Sequence, residues 1–135
     1  MAGDSTSTMM PRSVQPEGLP APGGHYSHAV VANGFVFVAG QLPITPQGEK
    51  LSDAPFERQA QQVLDNVRAA LRGAGSDVDR LVQVRVYVTD IAHWGAFNTI
   101  YAQWAGAARP ARAVVPISAL HFGLLIEVEA VALAG

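Results

Sequence analysis

Val82, Val84, Val86 and Val88 alternate with Gln83, Arg85 and Tyr87. Side chains along a strand point in turn to two faces, so this run predicts a strand over 81–89 with one apolar and one polar face. A different period precedes it. Phe56, Ala60, Val63, Leu64, Val67 and Leu71 recur every three or four residues, which predicts a helix with one apolar stripe. Ser52 or Asp53 is placed to cap it, and Gly73 and Gly75 to stop it. Trp94, Phe97, Tyr101 and Trp104 repeat the helical spacing behind Asp90, predicting a second helix with those rings on its buried face. Upstream, apolar runs at 26–32 and 35–39 flank Asn33-Gly34. Both turn residues tolerate positive φ, so a hairpin is expected there. The last two strands are expected over 113–117 and 124–133.

The resulting order, β-β-α-β-α-β-β, suits an α+β fold in which two helices cover one face of a single sheet. The opposite face would carry Gln83, Arg85, Tyr87 and, in a consistent register, Glu127 and Glu129. That face is too mixed for a monomer's core and too apolar elsewhere for open water, so it is expected to be covered by other copies of the chain. Residues 1–22 are rich in Ser, Thr, Pro and Gly and read as a flexible tail. Residues 23–135 read as one domain.

Composition narrows the function. The chain has 135 residues, 49% of them apolar and 15% charged, which fits one core. A net charge of −2 with no basic run gives poor support to nucleic-acid binding. No cysteine is present, which excludes a thiolate nucleophile and a zinc-thiolate site. No apolar stretch approaches the roughly 18–20 residues that span a bilayer. The first residues lack the apolar core of a secretory signal, so the cytoplasm is the expected compartment.

Arg112 opens a strand-like run after Pro110-Ala111, and Glu127 and Glu129 lie two apart in another. A guanidinium fork binds a carboxylate with two parallel hydrogen bonds. A glutamate among apolar neighbours holds its proton more tightly and can activate water. The plainer readings are an Arg paired with a protein carboxylate and two solvated glutamates. Tyr26 and Asn98 are further candidates, Asn98 because it adjoins the buried stripe and needs a hydrogen-bonding duty. His25, His28, His93 and His121 show no metal-ligand spacing, and no serine has a nearby base. No metal and no cofactor are expected.

Four stretches together resemble the Rid (reactive intermediate deaminase, YjgF) family, from about residue 24 to 132. They are His25-Tyr26-Ser27-His28-Ala29-Val30, Phe37-Val38-Ala39-Gly40-Gln41-Leu42-Pro43, the segment 61–75 with Leu64-Asp65-Asn66-Val67, and Pro110-Ala111-Arg112 followed by Ile126-Glu127-Val128-Glu129-Ala130. The resemblance implies a chorismate-mutase-like fold, a homotrimer with sites between subunits, and cofactor-free hydrolysis of enamines and imines such as 2-aminoacrylate. It implies that Arg112 holds the substrate carboxylate, that Glu127 activates water, and that Tyr26, Ala39, Gly40, Asn98 and Val114 line the pocket. Ala39, Val114 and His121 stand where many relatives have Ser, Cys and Pro. Ala39 and Val114 together imply a preference for apolar imino acids. A non-catalytic carboxylate-binding protein is the alternative, with ribonuclease and chaperone roles behind it.

Overall fold

The computed structural model describes residues 10–135. Six strands form one sheet: β1 (Arg12–Val14), β2 (Ala29–Ala32), β3 (Phe35–Gln41), β4 (Leu81–Val88), β5 (Ala111–Pro116) and β6 (Ile126–Leu133). Their order across the sheet is β1-β2-β3-β6-β4-β5. Only β4 and β5 run parallel, and a helix makes the crossover that a parallel pair requires. Helices α1 (Phe56–Gly73) and α2 (Trp94–Ala105) cover one face, so the α+β arrangement is as expected.

The core lies between that face and the helices. Val36, Val84, Val86, Val88, Ile126, Val128 and Ala132 meet Val63, Leu64, Val67, Leu71 and Phe97, and all of them are fully buried. Asn33 and Gly34 both adopt positive φ (51° and 82°), which joins β2 to β3 as the hairpin expected from Asn-Gly. The other sheet face is left open. It carries Phe35, Phe37, Val115 and Leu133, all more than a third exposed. Among the described residues, no helix is long and apolar enough to cross a membrane.

Four details differ from the sequence reading. Residues 12–14 pair with 29–31 as an edge strand, Leu19 is buried, and Pro16 packs so closely on Gly73 that a Cβ there would clash at 2.7 Å. Ordered structure therefore begins well before residue 23; residues 1–9 lie outside the described residues. Helix α1 is capped by Pro55 without a side-chain bond, because a turn closed by Ala54 N–H to Leu51 O takes up Ser52 and Asp53. Trp94 is 47% exposed: it is the first residue of α2, and helix side chains lean toward the N-terminus, off the helix end. Val82 is also exposed, since the register of β4 against β6 slips between Leu81 and Gln83.

Candidate functional site

Strands β3 and β6 keep regular register from Phe35↔Leu133 to Val38↔Ala130, and then Gln41 meets Val128. Three steps along β3 span two along β6, so Ala39 and Gly40 form a bulge. The bulge makes room for one side chain. A Cβ on Gly40 would stand 2.6 Å from Glu127 Oε2 and 3.0 Å from its Cδ. Gly40 is thus required for close approach, since its φ is not positive.

Buried amides hold the bulge from behind. Gln41 Nε2 donates to Ala39 O and to His28 Nδ1, each at 3.2 Å. His28 Nε2 lies 2.8 Å from Pro20 O. A carbonyl only accepts, so the His28 proton sits on Nε2 and Nδ1 is the acceptor. Asn66 on α1 donates to Leu42 O at 3.0 Å and Ile44 O at 2.9 Å, and Gln62 in turn holds Asn66 Oδ1. These bonds fix the loop that follows β3.

Between bulge, loop and the turn His121–Gly123 lies an open cleft of about 650 Å³. Tyr26, Ala39, Gly40 and Glu127 line it, with Lys50, His121 and Phe122. The half-buried Glu127 carboxyl is raised above the ordinary value of 4.5, chiefly by burial. The neighbouring charge of His121 pulls it down, and that of Glu129 pushes it up. The two glutamates share a face but not a role. Glu129 accepts from the Tyr87 hydroxyl and lies 4.0 Å from Arg85 Nη1. Among the described residues Glu127 has no such partner, which leaves its carboxylate available to a ligand or water.

Arg112 lies elsewhere. It pairs with Val84 across β4–β5, and Val84 faces the helices. Glu127 pairs with Tyr87 across β4–β6, on the open face. The alternation of side chains along β4 therefore sends Arg112 and Glu127 to opposite sides of the sheet. Arg112 Nη1 donates to Asn98 Oδ1 at 3.0 Å, and its guanidinium lies 4.8 Å from the centre of the Tyr101 ring. Both contacts preset the fork. Among the described residues no carboxylate lies within ion-pair distance of Arg112, whereas Arg68, Arg72 and Arg85 all have one. That argues against the plain reading of Arg112 as half of a structural ion pair. Asn98, Tyr101 and Arg112 line a second cleft of about 360 Å³.

The expected site residues thus form two groups: Tyr26, Ala39, Gly40 and Glu127 in one cleft, Asn98 and Arg112 in the other. Val114 shares Arg112's face, packs partly buried against the core, and lines neither cleft. The structural role of His28, Gln41 and Asn66 is not legible in the sequence, because their hydrogen bonds join segments far apart along the chain. Polar residues inside otherwise apolar runs were the available signal. Among the described residues no three His, Asp or Glu side chains come together as a metal ligand set.

A mixed six-stranded sheet with two helices on one face is the fold of the YjgF/L-PSP structures. E. coli TdcF, solved with bound serine, superposes with a TM-score of 0.85 at 30% identity, covering 92% of this chain and 99% of that one. A family model described as Endoribonuclease L-PSP matches residues 17–134, and the chain belongs to this YjgF/Rid family. It is 38% identical to Protein HMF1 of Saccharomyces cerevisiae over 116 residues, 86% of this chain and 89% of that protein. It is 34% identical to the chloroplastic Reactive Intermediate Deaminase A of Arabidopsis thaliana over 128 residues, 95% of this chain and 68% of that protein.

Proposed function

We propose that the protein hydrolyses 2-imino acids, and the enamines that tautomerise to them, to 2-oxo acids and ammonia. The observation that carries this reading is a pair of groups without an ion-pair partner among the described residues: an Arg112 fork preset by Asn98 and Tyr101, and a half-buried Glu127 with a raised proton affinity. Arg112 would take the substrate carboxylate and hold the imine carbon in place. Water adds to that carbon while Glu127 accepts its proton. Glu127 returns that proton to the nitrogen, giving the carbinolamine; the hydroxyl proton then passes to the amine nitrogen, the C–N bond breaks, the C–O bond becomes the new carbonyl, and ammonia leaves. A relative solved with bound serine and one named a deaminase support a small amino-acid-like substrate.

Because the two groups face opposite sides of one sheet, the complete site requires two subunits. Phe35, Phe37, Val115 and Leu133 on the open face supply apolar surface for that contact, and a ring of three closes it without leaving an edge. We assign this homotrimer a cytoplasmic setting. The ribonuclease named by the family model has less support, since the net charge is −2 and three arginines already serve protein carboxylates.

The test is an oxidase that feeds imino acids to the protein, with semicarbazide trapping what remains. Imine should disappear faster with the parent and with Glu129→Gln than with Glu127→Gln. A parent that leaves the trapping rate unchanged reduces the protein to a carboxylate binder.

A further inference from the structure

The Glu127 cleft contains a lysine that pairs with no carboxylate among the described residues. Lys50 lines it, with Nζ 4.7 Å from the centre of the Phe122 ring. The ammonium thus lines the cleft beside the Phe122 ring.

Both partners are built in place. Residues 44–50 form a tight excursion: Ile44 bridges to Lys50, Thr45 N–H and O are bonded to Glu49 O and Gly48 N–H, and Leu51 N–H reaches Pro43 O. Its base is pinned to α1 through Asn66. Phe122 sits at φ 61°, ψ 20°, a left-handed conformation that is uncommon for a bulky non-glycine residue. That backbone, held between His121 and Gly123, leaves the ring 54% exposed beside Lys50. An aromatic face steadies an ammonium without neutralising it, so the cation stays available to an anion from outside.

We propose that Lys50 is a specificity residue that selects substrates with a second anionic group: 2-imino acids whose side chain ends in a carboxylate. This rests on the deaminase reading, with Arg112 of a neighbouring subunit taking the first carboxylate. It departs from the apolar preference read from Ala39 and Val114, because Lys50 brings a charged contact into the cleft that Ala39 lines.

The experiment compares 2-oxoglutarate with 4-methyl-2-oxopentanoate by titration calorimetry, and the imines of glutamate and leucine by turnover. The proteins are the parent, Lys50→Met and Lys50→Arg. The parent should favour the diacid, and Lys50→Met should lose about twofold to fivefold for the diacid alone, as expected of one partly exposed ion pair. Lys50→Arg should keep the preference, and added salt should weaken it in the parent. Equal affinity of the parent for both 2-oxo acids, or equal weakening of both in Lys50→Met, overturns the proposal. Should the parent turn over neither imine, the deaminase reading falls, while the calorimetry still decides the role of Lys50.

Discussion

Two inactive variants of this protein should make an active one when mixed. Arg112→Ala removes the fork from one cleft and leaves Glu127 intact; Glu127→Gln does the reverse. Each homo-oligomer should be inactive, because every site would lack one partner. In a mixed ring, a site works when the subunit supplying Arg112 is the Glu127→Gln chain and its neighbour is the Arg112→Ala chain. Random assembly from equal amounts gives that pairing at about one site in four, since a cyclic heterologous interface draws one residue from each side. The magnitude follows from the strand register, which pairs Arg112 with Val84 and Glu127 with Tyr87 and so places them on opposite faces. Co-expression with two different affinity tags, followed by sequential purification, isolates the mixed species. Every mixed trimer has one working junction of its three, so the purified species should show about one third of the parental activity, and the unfractionated mixture about one quarter. Mixed oligomers no more active than the separate variants would mean that no site is shared between chains, and the two-subunit argument would be wrong.

Gly40→Ala should leave folding nearly intact but push the Glu127 carboxylate aside, because the new Cβ would stand 2.6 Å from Oε2. A displacement of that order costs up to about 100-fold in turnover, read as kcat with melting temperature as control. Burial raises the proton affinity of Glu127 above its unfolded value of 4.5, so the native state holds that proton more tightly. Its favourable contribution to stability is complete below pH 4.5 and is lost as pH rises through the raised folded value. Glu127→Gln should therefore raise the melting temperature at pH 7 but not at pH 4, and an equal gain at both would contradict the linkage. Deleting residues 1–20 removes β1 and the buried Leu19, and leaves His28 Nε2 without Pro20 O. Leucine burial contributes about 1.5–3 kcal/mol and an orphaned buried donor costs about 1–3 kcal/mol. Calorimetry should show a fall of roughly 10 °C or more, and an unchanged melting point would show that the segment does not pack.

The sequence by itself determined the elements and their inner faces. The valines of β4, the stripe of α1 and the Asn-Gly turn each report a local rule, side-chain period or permitted φ, that acts over a few residues. It also marked Arg112, Glu127, Tyr26, Ala39, Gly40 and Asn98 as candidates, because the motifs that carry them are contiguous. Tertiary structure alone decided how these candidates are divided. Whether Arg112 and Glu127 share a face depends on the pairing of β4 with both β5 and β6, and one residue of slip in either would reverse the answer. The same holds for the two glutamates, identical in period but separated in role by Tyr87 and Arg85 on the adjacent strand. Strand β1 escaped notice because three residues are too few to show a period, and their pairing with β2 is a contact across a loop of 14 intervening residues. Lys50 escaped for a related reason: an isolated lysine in a loop carries no local signal until folding brings Phe122 beneath it.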